Sequence, residues 1–204
     1  TLTEANYKDV LSSLDGIIVP GGFGGRGIEG MILAAKFARE TGLPYFGICL
    51  GMQIAVIEYA RNVAGIKDAH SGEFDELCKN KVIDFIPGQS EDVDKGGTLR
   101  LGAYPCVIKA GTTMEKCYGK DLISERHRHR YEFNNDYRET LENAGLTLSG
   151  RSPDGRLIET VEISDRPFYV GVQFHPEFKS RPNKAHPLFR GFIAAALDAA
   201  EGKR

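Results

Sequence analysis

The chain has 204 residues, 41% of them apolar and 26% charged, which suits a single domain (1–204) with a sizeable core. Its 26 basic and 28 acidic residues leave a formal charge of −2, a near-balance that argues against a general polyanion binder and hence against nucleic acid as a partner. The four cysteines, Cys49, Cys78, Cys106 and Cys117, lie far apart with no C-x-x-C pair, and no run approaches the roughly 18–20 apolar residues of a membrane span. This pattern reads as reduced thiols in a cytoplasmic protein with no membrane partner.

In chain order, "DGIIVP" (15–20) is a short β-branched run closed by proline, a buried strand. The glycine-rich turn "GGFGGRG" (21–27) follows, then a helix over "IEGMILAAKFARE" (28–40) that stops at "TGLP". "YFGI" (45–48) is a second buried strand. Behind it Met52, Ala55, Val56 and Tyr59 recur at helical spacing, predicting a helix with one apolar face. Two successive strand–helix units indicate an α/β protein with a parallel sheet. The middle differs: "KVIDFI" (81–86) and "LRLGAYPCVI" (99–108) read as strands around the polar loop 87–97. "TLSG", "RLIETVEI" and "PFYVGVQF" add three short strands, with "DGR" (154–156) as a hairpin turn. Strands without intervening helices predict antiparallel pairs. "PLFRGFIAAALDAA" closes the chain as a helix, with Phe189, Phe192, Ile193 and Ala196 on one face.

The chemistry gathers at few places. Gly47-Ile48-Cys49-Leu50-Gly51 has the G-x-nucleophile-x-G form of a sharp strand-to-helix turn, where glycines relieve crowding and the nucleophile stands exposed. A helix N-terminus behind the sulfur is expected to favour thiolate, lowering the thiol from about 8.5, and the Leu50 N–H points at a developing oxyanion. The competing reading is that Cys49 is a small core residue. Of five histidines, His70 and His186 stand in no motif. His175, in "FHPEF", ends an apolar strand, Pro176 biases it towards extended backbone, and Glu177 can reach round to orient the imidazole. Gly22-Phe23-Gly24-Gly25-Arg26-Gly27 matches G-x-G-x-x-G weakly, and backbone donors to an oxyanion suit it better than a dinucleotide. In "ERHRHRYEFNN" (125–135), strand alternation puts Arg126, Arg128 and Arg130 on one face and His127 and His129 on the other. A solvated strand, a His-x-His metal pair with no third ligand in sight, and an arginine gripping a carboxylate all compete. Glu73, in "HSGEF", complements such an arginine for a substrate that carries ammonium and carboxylate together.

Together, "PGGFG", "GICLGMQ", "ERHRHRYE", "SGEF", "GRSPDG" and "FHPEF" resemble the class I glutamine amidotransferase domain of CTP synthase, over nearly the whole chain. The resemblance implies a flavodoxin-like fold: a mostly parallel central sheet flanked by helices, with a smaller antiparallel sheet. It implies Cys49 as nucleophile, His175 as base and Glu177 as its orienting acid, with Gly22 in the oxyanion hole. Leu50, Gly51, Met52 and Gln53 would lie against bound glutamine, and Glu73 and Arg130 would hold its amino and carboxylate groups. The usual S-T-E-F segment reads Ser71-Gly72-Glu73-Phe74 here, which keeps the glutamate. No metal or cofactor is expected in this domain. ATP, UTP and magnesium belong to a synthetase domain for which nothing here corresponds, GTP is an allosteric effector in the family, and the full-length protein is expected to be a homo-oligomer, a tetramer. With Thr1 in first place, the chain is expected to be a C-terminal fragment lacking the domain's first strand–helix units. The same triad also serves a γ-glutamyl peptidase or another class I amidotransferase, and a non-catalytic docking module is the remaining alternative.

Overall fold

The structure is a computed structural model that describes residues 1–85 and 100–202. A short helix, α1 (Tyr7–Leu11), precedes strand β1 (Ile17–Val19). Helix α2 (Ile28–Thr41) runs between two glycines in the left-handed region, Gly27 and Gly42, and leads into β2 (Tyr45–Ile48) and α3 (Leu50–Asn62). Next come β3 (Ala69–Ser71), β4 (Asn80–Phe85) and the long β5 (Arg100–Ile108). The short α4 (Thr113–Tyr118) is capped by the Thr112 side chain, which accepts from the Glu115 N–H. Strands β6 (Leu122–His129) and β7 (Tyr131–Phe133) are followed by α5 (Arg138–Asn143). Strands β8 (Thr147–Arg151), β9 (Ile158–Glu162) and β10 (Tyr169–Val172) precede the final helix, α6 (Pro187–Ala200). His186 caps α6 by accepting from the Leu188 N–H at 3.3 Å.

Seven strands form the main sheet in the order β1-β2-β10-β9-β8-β5-β6. The α/β class holds, but the parallel part is smaller than expected. Only β1, β2 and β10 run parallel, and the pairings from β10 to β6 are all antiparallel. A parallel pair needs a crossover, usually a helix; β8–β9 are joined by a short turn that folds the chain straight back, while β5–β6 pair antiparallel across a longer connection that carries α4. The second sheet, β3-β4-β7, is also mixed: β3 pairs with β4 parallel, and β7 pairs with β4 antiparallel. The loop expected at 87–97, and the last residue of the run 81–86, lie outside the described residues.

Two cores sandwich the main sheet. One joins α1, α2 and α3 to Tyr45, Val161 and Tyr169; the other places Phe46, Val170, Val172 and Phe174 against Met114, Leu188 and Phe192. The parallel strands β2 and β10 are thus buried on both faces and read as continuous apolar runs, whereas β1, at the sheet edge, buries Ile17 and Val19 and exposes Ile18. Helix α3 differs from the single apolar face predicted: Leu50 through Ala60 are all buried, because α2, the main sheet and the small sheet enclose it. Helix α6 differs the other way. It buries Leu188, Phe192 and Ala199, while Ile193 is exposed, so its inward stripe is rotated from the predicted one.

Candidate active site

The carboxyl ends of β1, β2 and β10 stand side by side, with Val19 opposite Gly47 and Gly47 opposite Gly171. This is where open α/β sheets collect ligands. Cys49 is the first residue beyond β2. Its N–H donates to the Val172 carbonyl at 2.7 Å, and its carbonyl accepts from Met52 and Gln53 as α3 begins. The reversal requires φ +50° and ψ −99° at Cys49, the one non-glycine positive φ among the described residues. The flanking glycines are steric necessities. A Cβ at Gly47 would lie 2.5 Å from the Gly51 carbonyl carbon and oxygen, and one at Gly51 would lie 2.1 Å from the Val19 oxygen.

His175 enters from the end of β10. Its N–H donates to the Arg126 carbonyl of β6 at 2.8 Å, and its backbone is extended at φ −114° and ψ 87°. Nδ1 lies 2.6 Å from Glu177 Oε1, and the ring stacks on Phe178 at 4.8 Å between centroids. Nε2 is buried and has no hydrogen-bond partner. Gly21 is the hub: a Cβ there would sit 2.7 Å from His175 Cε1 and 3.6 Å from Cys49 Cβ. Cys49 and His175, far apart in sequence, therefore meet across one glycine, and the imidazole carries Glu177 from two residues on.

Cys49 opens onto a pocket of about 430 Å³ lined by Gly22, Phe23, Gln53, Glu73, Arg130 and Tyr131, among others. Glu73 Oε1 accepts from the Gly24 N–H at 3.1 Å, which ties the glycine loop to the segment after β3. Burial raises the Glu73 carboxyl above its ordinary range, against the opposing pull of Gly24 and Arg130. The substitution of glycine in S-G-E-F therefore leaves the glutamate at the pocket. Gln53 lines it too. Met52 and Gly51 do not: Met52 is fully buried beneath Gly171, and Gly51 packs on Val19 while its carbonyl accepts from Tyr45 Oη at 2.8 Å. Leu50 contributes its N–H towards the sulfur, and its side chain lies under Gly22.

One expectation is reversed. The Cys49 thiol is not lowered but pushed up to about 12, because burial outweighs the Leu50 N–H; the charges of Glu177 and Glu73 add to the rise, and the Gln173 amide opposes it. At neutral pH the sulfur carries its proton.

Below the pocket lies a polar cluster that the sequence only hinted at. Strand β6 alternates as predicted, with Arg126 and Arg128 exposed and Glu125, His127 and His129 buried. The two imidazoles meet each other, Nδ1 of His127 to Nε2 of His129 at 2.9 Å. Among the described residues no group of three or more His, Cys, Asp or Glu is placed to hold a metal ion. Burial, reinforced by the Arg100 charge, pushes His127 down to about 2 and His129 to about 3. Arg100 grips Glu159 with two hydrogen bonds, at 2.6 and 2.9 Å, and touches Glu132 at 3.4 Å. Gln173, absent from the predicted site, points its amide at Cys49 Sγ at 3.6 Å. The available signal was a glutamine inside the otherwise apolar run "FYVGVQF". His186, which stands in no motif, is buried against Glu125 and Tyr118 at 3.2 Å each.

A strained cysteine thus stands at a strand–helix elbow, with a carboxylate-held histidine just beyond the neighbouring strand. The family model for glutamine amidotransferase class-I matches residues 1–195, and the chain belongs to that family. Within it, the curated relatives it matches include CTP synthases. That of Carboxydothermus hydrogenoformans is 62% identical over 96% of this chain and 37% of its own length, and that of Bacillus subtilis is 55% identical over 99% and 38%. The chain thus spans little more than a third of these relatives. Among solved structures, the glutaminase domain of Trypanosoma brucei CTPS with bound acivicin superposes with a TM-score of 0.89 at 41% identity, covering 95% of this chain and 75% of that one. A putative GMP synthase protein from Thermoplasma acidophilum, at 18% identity over 97% of this chain and 80% of its own, shares the fold with a TM-score of 0.61. No helix among the described residues is long and apolar enough to cross a membrane.

Proposed function

We propose that this chain hydrolyses L-glutamine to glutamate and ammonia through a Cys49 thioester, as the glutaminase part of a CTP synthase. The observation that carries the reading is the meeting of Cys49 and His175 at Gly21, with Nδ1 of the imidazole taken by Glu177 and Nε2 left open. Only Nε2 can then accept the thiol proton.

As Sγ attacks the side-chain amide carbon, its proton passes to His175 Nε2 and the carbonyl π pair moves to oxygen. The N–H groups of Leu50 and Gly22 receive that oxyanion. Collapse breaks the C–N bond, and His175 returns the proton to nitrogen, releasing ammonia and leaving the γ-glutamyl thioester. His175 next takes a proton from water, the hydroxide attacks the thioester, and sulfur leaves and is reprotonated. Glu177 keeps the imidazole in the tautomer both steps need. Glu73 and Arg130, with Gln53, face the substrate's ammonium and carboxylate.

The ammonia then aminates UTP, with ATP and magnesium handled by the part of a CTP synthase that lies outside the matched third. GTP acts as effector and the assembly is a homo-oligomer.

The test is ammonia release from glutamine by the protein and by Cys49→Ala. Activity in the first alone, with a γ-glutamyl hydroxamate formed when hydroxylamine intercepts the thioester, supports the reading. Ammonia release that survives Cys49→Ala overturns the nucleophile. A clear preference for γ-glutamyl peptides over glutamine moves the chain to the peptidase reading.

A further inference from the structure

A directed chain of amides runs from the pocket wall to the sulfur. It starts at the Tyr131 backbone carbonyl, which can only accept. Gln53 Nε2 lies 3.1 Å from that oxygen, so the Gln53 amide must present its NH2 there. The same nitrogen lies 3.3 Å from Gln173 Oε1 and donates its second proton to it. With Oε1 fixed as acceptor, Gln173 turns its own NH2 to Cys49 Sγ. Gln53 and Gln173 are both buried, and the Gln173 backbone N–H donates to the Glu159 carbonyl at 2.8 Å, which fixes the base of its side chain.

We infer that Gln173 is a further catalytic residue, a donor that stabilises the Cys49 thiolate, and that Gln53 is a positioning residue that fixes which end of the Gln173 amide meets the sulfur. The inference rests on Cys49 being the nucleophile. With both its N–H bonds directed inwards, Gln53 has only Oε1 left for a ligand N–H.

The test is the rate of Cys49 alkylation by iodoacetamide between pH 7 and 9.5, read by peptide mass and needing no turnover. Loss of one hydrogen bond to a charged group leaves about tenfold less thiolate at each pH, which its greater intrinsic nucleophilicity trims to about a threefold slower reaction. Gln173→Met is expected to show that fall. Gln173→Glu keeps the shape, replaces the donor with a charge, and is expected to fall further. Gln53→Met, which frees the Gln173 amide to turn, is expected to fall less. Thermal unfolding selects the variants that fold. A folded Gln173→Met or Gln173→Glu whose rates superpose on the wild type overturns the inference, and so does a Gln53→Met that slows alkylation more than Gln173→Met. If the rates shift but glutamine is not hydrolysed, the amide chain stands and the proposed function falls.

Discussion

The backbone at Cys49 is the clearest place to measure what the elbow costs. Its φ of +50° and ψ of −99° lie far from the left-handed helical minimum and near the rare, strained γ-turn region. Such a conformation costs on the order of 1–3 kcal/mol, and a ψ this far from +47° puts Cys49 towards the upper end. It persists because neighbours over-determine it: the bond from its N–H to Val172, the two bonds into its carbonyl from α3, and the Gly47–Gly51 contact. Cys49→Ala and Cys49→Gly both remove the sulfur, but only glycine removes the strain. Against a relief of about 3 kcal/mol stand about 0.8 for the lost methyl and about 0.5–1 for the greater freedom of glycine in the unfolded chain. Cys49→Gly should therefore be more stable than Cys49→Ala by about 1 kcal/mol. In a chain of this size that is about 2–4 °C in Tm. Urea unfolding of the two variants, with equal m-values, reads the difference directly. An alanine variant as stable as the glycine variant, or more so, refutes the strain argument.

Other outcomes follow from the buried charges. Arg100→Ala strands Glu159 without its cation and should cost about 3–5 kcal/mol in urea unfolding; a loss under about 1 kcal/mol would show that Arg100 and Glu159 do not act as a buried pair. Burial, with the Glu159 charge, pushes the Glu132 carboxyl up to about 8 despite Arg100, so the folded state keeps a proton there that the unfolded state releases near 4.5. Stability should fall as pH rises from about 5 to 8, by at most about 1.4 kcal/mol per pH unit from this group, and Glu132→Gln should flatten that slope; an unchanged slope removes Glu132 as its source. With the Cys49 thiol pushed up to about 12, alkylation of Cys49 should climb about tenfold per pH unit from pH 6 to 9, and a plateau near pH 7 would show a resting thiolate instead.

What was legible in the sequence was whatever local sterics dictate. Gly47 and Gly51 announce the elbow because no side chain fits at either, and "FHPEF" announces the histidine because a proline and a glutamate fix its backbone and its ring within two residues. Alternation in "ERHRHR" is likewise local, and strand β6 keeps it. The missing parts depend on partners distant in the chain. Helix α3 reads as amphipathic because its polar positions include Gln53 and Glu58. Their burial becomes tolerable only when Gln173 and Tyr131 meet the first and Arg39 the second. The role of Gln173 is hidden for the same reason: one polar residue in an apolar run has no evident partner until the fold brings Gln53, 120 positions away, beside it.

The thiol shows where a local rule fails for a physical reason. A helix N-terminus favours an anion by about 0.3–2 kcal/mol, which moves a thiol by little more than one pH unit. Full burial moves an acid by up to 3–5 units the other way, and Cys49 is only 3% exposed. Desolvation therefore outweighs the hydrogen bonds that the Leu50 N–H and the Gln173 amide offer the sulfur. A buried thiol that stays protonated is protected from adventitious oxidation and alkylation, since both require thiolate. The anion then needs to form only as a substrate amide offers its carbon and His175 Nε2 accepts the proton. On this reasoning the donors at the sulfur matter most in the transition state, which is where the Gln173 amide, fixed in direction before substrate arrives, has no reorganisation to undergo.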